Sequence, residues 1–111
     1  MEEKSVFIRT FGDYPLIRVL DFLIYSRDFD YPLTDIAEKS DVNYQTLKKV
    51  WARLEENNFV VRTRKLGNAE LYKINEDNET VKRLIELNKF ICMEEAGEKK
   101  EHNKKKMLAD A

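Results

Sequence analysis

The hydrophobic and polar positions of the chain follow two different periods, and the changes between them predict its elements. Two segments in the first half place apolar residues at i, i+3, i+4 and i+7, the spacing of one buried helix face. Residues 60–74 instead form two short alternating runs around a Gly-Asn pair, the pattern of a β-hairpin. Another apolar stripe at helical spacing follows the hairpin and predicts a last helix.

Start signals mark the first two helices. Asp13 is expected to cap the first, with Pro15 in its first turn, where a missing amide hydrogen is tolerated. Thr34 is expected to cap a short helix over "LTDIAEKS", with Asp35 near the positive end of the helix dipole. Upstream, residues 4–11 alternate weakly and predict a short edge strand. The buried stripe of the first helix consists of Leu16, Ile17, Leu20, Leu23 and Ile24.

Asparagines delimit the third helix. Asn43 is expected to cap it, and Asn57 and Asn58 to end it, since asparagine accepts the left-handed backbone conformation common at helix ends. Trp51 lies at the centre of its apolar stripe and is interpreted as a core residue. The whole stripe is Leu47, Val50, Trp51 and Leu54.

Length, composition and sequence signals exclude several classes of protein. A length of 111 residues fits one domain. The N-terminal segment carries acidic residues where a signal peptide is basic, and the longest apolar run is too short to span a membrane, so we expect a cytoplasmic protein. His102 and Cys92 lack a second ligand at metal spacing, and no catalytic constellation is found, so no enzyme, metal or cofactor is predicted. Cys92 is interpreted as a buried small residue.

Charge is segregated along the chain although the net charge is only −1. Residues 1–42 hold 5 Lys/Arg against 9 Asp/Glu, whereas residues 43–75 hold 7 against 3. An acidic body with one basic segment is typical of a protein that binds a polyanion, because local potential steers the ligand. Chance clustering on a solvated surface is the alternative.

The order of the elements indicates a helix-turn-helix, in which the second helix of the pair presents its outer face to the DNA major groove. That outer face contains no carboxylate from Tyr44 to Leu54, whereas the exposed side of a structural helix usually mixes both signs of charge. The fold class predicted is mainly α with a small β-hairpin (α+β).

Two quoted segments carry a more specific resemblance. "FGDYPLIRVLDFL" and "RKLGNAELYKIN", in this order and spacing, resemble the first helix and the wing of small archaeal regulators. Together with the intervening segment, residues 5–92 are similar to the winged helix-turn-helix of the MarR/ArsR-like superfamily of transcriptional regulators. Asp41 and Asn58 stand where glycine is common in that superfamily, and both tolerate positive φ.

The resemblance implies a homodimer that binds double-stranded DNA, with residues 43–57 as recognition helix and residues 59–74 as wing. Gln45 is expected to read a base edge, because its carboxamide can pair with adenine. Lys49 and Arg53 are expected to bind phosphates. The alternative for each is an ordinary solvent-facing side chain. The remaining recognition-helix candidates are Tyr44 and Lys48, and Thr46, which matches a backbone-contacting threonine of the family.

The wing candidates are basic or lie at its tip. Arg62, Arg64, Lys65 and Asn68 are expected to lie over the DNA backbone or to enter the minor groove, where cations are favoured. Strict strand alternation would place Arg62 and Arg64 on one face and Lys65 on the other. The alternative is a hairpin whose charges only keep an edge strand soluble.

The last helix is expected to begin near residue 78 and to be a dimer interface, because its apolar residues exceed what one small domain can cover. A helix folded back on its own monomer is the alternative. The interface candidates are Val19, Phe22, Val81, Leu84, Ile85, Leu87 and Ile91.

The sequence therefore predicts a winged-helix domain over residues 1–96, with a dimerisation helix at about 78–96, and a charged, disordered tail over residues 97–111. The predicted function is sequence-specific regulation of transcription, with repression favoured over activation and no small-molecule effector evident. A winged-helix module that binds protein within a larger assembly is the alternative.

Overall fold

The computed structural model describes residues 4–97, so the predicted tail lies outside the described residues except for Gly97. Five helices and one antiparallel hairpin are found in this range, which confirms the predicted α+β class. In chain order they are α1 Val6–Phe11, α2 Pro15–Tyr25, α3 Leu33–Ser40, α4 Tyr44–Glu56, β1 Val60–Leu66, β2 Ala69–Ile74 and α5 Glu79–Ala96.

The edge strand predicted for residues 4–11 is wrong, because this segment forms α1. The Ser5 side chain caps the helix by accepting a hydrogen bond from the Ile8 amide at 3.1 Å. Phe7 is buried, and α1 packs against α2 and α5. A helix of six residues is too short to establish a 3.6-residue period, so its apolar pattern could not distinguish it from a strand.

Two predicted N-caps are also wrong. Asp13 does not cap α2, because its carboxylate binds Arg18 at 2.6 Å and Lys4 at 3.2 Å. Thr34 does not cap α3, because the helix begins at Leu33, directly after the extended backbone of Pro32. Thr34 therefore lies inside the first turn. In both helices no side chain caps the first turn.

The helix-turn-helix begins and ends as predicted. The Asn43 side chain accepts a hydrogen bond from the Thr46 amide at 3.0 Å, a contact of a kind that stabilises a helix by about 1 kcal/mol. Asp41 in the turn has φ 58° and Asn58 after α4 has φ 60°, so both adopt the left-handed conformation expected of them. Asn78 caps α5 in the same way as Asn43 caps α4.

The core lies where α2, α3 and α4 meet the base of the hairpin and the first turn of α5. Trp51 is 3% exposed, which confirms its predicted place in the core. Its ring and that of Tyr72 pack edge to face, with 5.5 Å between the ring centres. Tyr31, between α2 and α3, pairs with Tyr72 through two backbone hydrogen bonds of 2.9 Å, which attach the hairpin to the helices. The most deeply buried side chains are Phe7, Leu23, Ile24, Ile36, Leu47, Leu54, Ile74, Val19 and Val81.

Asp21 provides a test of this packing. Burial between α1 and α2 raises the pKa of the Asp21 carboxyl above 3.8, although a hydrogen bond from Ser5 at 2.8 Å lowers it in part. The stability that a raised pKa gives is present below pH 3.8 and is lost as the pH rises through the folded value, so the carboxylate is unfavourable at neutral pH.

Asp21→Asn is therefore expected to raise the free energy of unfolding at pH 7, because the amide oxygen still accepts from Ser5 without a buried charge. This advantage should shrink as the pH falls through the raised folded pKa of Asp21, where the wild-type carboxyl becomes protonated, and it should be gone below pH 3.8. Urea denaturation at both pH values measures it. A variant less stable than wild type at pH 7 would contradict the argument.

Candidate nucleic-acid interface

The outer face of α4 is an exposed, acid-free surface that begins at the helix N-terminus. Lys48 lies with its ammonium 5.5 Å from the centre of the Tyr44 ring, close enough for a cation–π contact that orients it. The backbone amide of Thr46 donates to the capping side chain of Asn43, and the Thr46 side chain is half-buried. The exposed side chains of this face are Tyr44, Gln45, Lys48, Lys49, Ala52 and Arg53.

The turn before α4 is held by Arg18, which the sequence did not mark as a site residue. Its guanidinium donates to the backbone carbonyl of Asp41 at 2.6 Å and to the Asp13 carboxylate at 2.6 Å. These contacts lock the start of α2 to the left-handed residue that sets the angle between α3 and α4. Because Asp41 is 23 residues away, no local pattern connects it to Arg18.

The residues that lie on each face of the wing differ from those predicted. Arg62 pairs with Tyr72, but Arg64 pairs with Leu71, so a β-bulge at Thr63 inserts one extra residue into β1. Residues paired across an antiparallel ladder lie on the same face of the sheet. Arg62 and Arg64 therefore lie on opposite faces, and the prediction that they share one is wrong.

Beyond the bulge, Lys65 pairs with Glu70, which lies two residues from Tyr72 and hence on the face of Arg62. The register thus gives one face of the wing two cations, Arg62 and Lys65. Both are exposed, and among residues 4–97 neither has an ion-pair partner within 4 Å. Asn68, also exposed, completes the tip of the wing.

Arg64 has a different environment. Its guanidinium binds the Asp30 carboxylate twice, with Nε to Oδ2 at 3.0 Å and Nη2 to Oδ1 at 3.1 Å. The Thr63 hydroxyl donates to the same carboxylate, and these two donors lower the pKa of Asp30 to about 2. Asp30 is therefore ionised at any physiological pH. Of the predicted wing cations, only Arg64 forms an ion pair with another residue of the range 4–97.

Solved structures show the same fold, whereas no protein-family model and no curated protein sequence matches the chain. The antimony-specific transcriptional repressor AntR is 27% identical, with a TM-score of 0.54 over 82% of this chain and 76% of AntR. The chain has a MarR-like winged-helix fold. The predicted fold is thus confirmed, and AntR is a transcriptional repressor, in agreement with the prediction of a regulator rather than an enzyme.

Two further structures extend the MarR-like comparison at the level of the fold. NadR in complex with 4-hydroxyphenylacetate is 20% identical, with a TM-score of 0.53 over 84% of this chain and 69% of NadR. Disulfide-formed AbfR is 17% identical, with a TM-score of 0.55 over 95% of this chain and 70% of AbfR. Because the match to AbfR extends over nearly the whole chain, the fold likeness includes the terminal helices as well as the winged helix.

The MarR-like domain buries two of the predicted dimer residues in its own core. Val19 and Val81 are both 0% exposed, so they cannot contact a second chain, and their assignment to an interface is wrong. Phe22 packs on the Tyr31 ring at 5.2 Å between centres. Leu84 and Ile85 are half-buried against the core.

The outer side of α5 keeps an apolar surface. Leu87 is 41% exposed and Phe90 is 59% exposed, and Met93 continues the same side of the helix. Ile91 is half-buried. The sequence missed Phe90 and Met93 as surface residues because an apolar stripe does not show which of its members the monomer covers.

The inner side of α5 packs on its own chain through α1, and a bidentate ion pair from Arg9 to Glu95, at 2.8 and 3.2 Å, joins the two helices. The alternative of a helix folded back on its monomer is therefore correct for this side. Cys92 is exposed rather than buried, so its predicted burial is wrong.

Two other features are absent from residues 4–97. Within that range, no three His, Cys, Asp or Glu side chains are arranged to hold a metal ion. No helix of the same range is both long and apolar enough to cross a membrane.

Proposed function

We propose that the chain is a dimeric, sequence-specific DNA-binding regulator of transcription, in which α4 enters the major groove and the wing lies on the backbone or in the minor groove. The observation that carries the proposal is the exposed, acid-free outer face of α4 in a MarR-like fold. Duplex DNA is a dense polyanion, so a surface that presents cations without carboxylates fits it. Residues 1–96 form this unit, and α5 is its dimerisation helix.

The residues of α4 divide by chemistry into base readers and phosphate ligands. Gln45 is exposed in the first turn and can donate to N7 and accept from N6 of adenine only in the major groove. Tyr44 and Lys48, held side by side, are its neighbours in base or backbone contact. Lys49 and Arg53 extend the basic face and bind phosphates, with Thr46 against the backbone.

The wing contributes a second group of contacts. Arg62 and Lys65 share one face and have no ion-pair partner in the described chain, so they can bind phosphates without losing an internal contact. Asn68 at the tip can reach the minor groove. Arg64 contributes through its contact with Asp30.

Repression is the proposed mode of action. A protein that occupies a promoter excludes the polymerase without any additional activating surface. AntR, the relative with 27% identity, is described as a transcriptional repressor. Both points favour repression over activation for this chain.

The outer side of α5 supports a two-fold dimer. Leu87, Phe90 and Met93 form a continuous exposed apolar strip on a helix whose inner side is already packed. A self-complementary strip of this kind is what an isologous interface requires. Two recognition helices would then meet half-sites roughly 34 Å apart, one turn of the DNA.

Selection of bound sequences from a random pool of duplex DNA tests the proposal. A dimeric reader should enrich a palindrome with half-sites spaced by one helical turn. Recovery of unrelated sequences, or of none, would contradict sequence-specific binding. If the purified protein instead captured an acidic protein and ignored DNA after nuclease treatment, the chain would be an interaction module.

Gln45→Ala is expected to relax sequence preference rather than to abolish binding. Loss of one bidentate contact costs about 1–3 kcal/mol at the base pair it reads, with little change elsewhere in the site. Repeating the selection with the variant measures this directly. Thr80, exposed on α5 and away from this face, gives a matched control as Thr80→Ala. Equal preference in Gln45→Ala and wild type would remove Gln45 from the readers.

Phe90→Glu is expected to dissociate the dimer, because it would place a charge in each half of a closed apolar interface. Sedimentation equilibrium should then give the monomer mass at concentrations where wild type is dimeric. Lys89→Gln, at an exposed neighbour outside the strip, makes the same change of −1 in net charge and controls for it. A variant that stays dimeric would place the interface elsewhere.

A further inference from the structure

Asp30 lies in the segment between α2 and α3, 33 residues before Thr63 of the wing, yet the fold brings the two together. The next residue, Tyr31, pairs its backbone with Tyr72 on the free edge of β2. Tyr31 thus occupies a third strand position beside the wing. Adjacent residues of an extended segment point to opposite faces, which places Asp30 on the face of Leu71.

The bulge in β1 brings Thr63 and Arg64 to the same carboxylate. Arg64 pairs with Leu71 in the ladder and reaches across it to bind Asp30 with two donors. The Thr63 hydroxyl contacts both Asp30 and, at 3.3 Å, the carbonyl of Leu71. The Asp30 side chain is only 16% exposed in this arrangement, and Leu71 is buried beneath it.

This bulge determines which wing cations share a face. With it, Arg62 and Lys65 lie together and Arg64 lies opposite. Without it, strand alternation would return Arg62 and Arg64 to one face and separate both from Lys65. A contact that holds the bulged residues therefore determines where the free cations of the wing point.

We propose that Asp30 is a positioning residue for the wing: by binding Thr63 and Arg64 it fixes the bulge and presents Arg62 and Lys65 together to DNA. This inference rests on the proposed DNA-binding function. It assigns Arg64 an internal role, in place of a direct phosphate contact, and it gives an acidic residue a favourable effect on binding a polyanion.

Electrostatics alone predicts the opposite change in DNA affinity when Asp30 is removed. Removal of a carboxylate near bound DNA strengthens binding, because it removes repulsion from the phosphates. If Asp30 only masked Arg64, its removal would also release one more phosphate ligand and steepen the salt dependence. A loss of affinity on removing Asp30 is therefore specific to positioning.

Asp28 supplies a matched control. It lies two residues away in the same loop, its side chain is exposed, and within residues 4–97 it has no hydrogen bond or ion pair. Asp28→Ala and Asp30→Ala change the net charge equally. Any difference between them comes from the contacts of Asp30 with Thr63 and Arg64.

The experiment compares full-length wild type, Asp28→Ala and Asp30→Ala by duplex-DNA titration and by amide hydrogen exchange of the wing without DNA. We expect Asp30→Ala to bind roughly tenfold more weakly than Asp28→Ala, the effect of misplacing two phosphate ligands. Amide hydrogen exchange at residues 66–69 should be faster in Asp30→Ala than in wild type or Asp28→Ala. Asp30→Glu, which keeps a carboxylate, should recover part of both effects.

Several outcomes overturn the inference. Tighter DNA binding by Asp30→Ala would show that Asp30 masks Arg64, and equal behaviour of the two alanine variants would leave Asp30 without a role. Unchanged exchange in the wing would separate Asp30 from the bulge. Wild type that ignores DNA would instead refute the proposed function, a result distinguishable because it appears before any substitution.

Discussion

Replacing Trp51 with alanine is expected to lower the free energy of unfolding by about 3–5 kcal/mol, the range for removing a buried aromatic side chain. The indole is 3% exposed and packs between α4 and the ring of Tyr72. Since small domains are stable by about 5–15 kcal/mol in total, this loss would remove a large part of the stability. Urea denaturation followed by far-UV circular dichroism measures it.

Trp51→Phe is the control for this prediction. Phenylalanine keeps an aromatic ring against Tyr72 and removes an indole N–H that is buried without a hydrogen-bond partner among residues 4–97. We expect it to cost less than about 1.5 kcal/mol, because lost volume is partly offset by loss of the unpaired donor. A cost equal to that of alanine would show that a smaller aromatic ring does not replace the packing of the indole against Tyr72.

The double substitution Lys48→Glu and Lys49→Glu is expected to weaken DNA binding by at least about a hundredfold near physiological salt, because two phosphate ligands become repulsive charges. Both side chains are exposed and, within the described residues, lack ion pairs, so folding should be unaffected. Titration of labelled duplex DNA, together with a thermal melt, measures both properties.

Lys39→Glu combined with Lys82→Glu makes the same change in net charge at exposed positions of α3 and α5 outside the recognition face. It should weaken DNA binding far less than the Lys48 and Lys49 pair. Comparable losses would mean that net charge, and not the outer face of α4, determines affinity.

The helix-turn-helix could be predicted from the sequence because its signals are local. The apolar period of α4 extends over three turns, and Asn43 caps the helix it precedes. The left-handed positions of Asp41 and Asn58 follow from residue type, and the Gly67-Asn68 turn follows from the two runs it joins. Each of these features is determined by residues close in sequence.

The errors involve contacts between distant segments. Asp13 fails as a cap because Arg18 and Lys4 bind its carboxylate, a competition that cap preferences do not include. Val81 belongs to an apolar stripe in either a dimer or a monomer, so burial could be assigned only from the packed chain. The bulge at Thr63 brings this residue into contact with Asp30, 33 residues away, and no period in either segment indicates that contact.

Equilibrium titration of the protein against duplex DNA at several salt concentrations tests DNA binding most directly. Each phosphate neutralised contributes about −0.9 to the slope of log affinity against log salt. With Lys48, Lys49, Arg53, Arg62 and Lys65 as phosphate ligands, a slope of roughly −4.5 per protomer is predicted. Negligible affinity at low salt, or a slope near zero, would contradict a DNA-binding function for this winged helix.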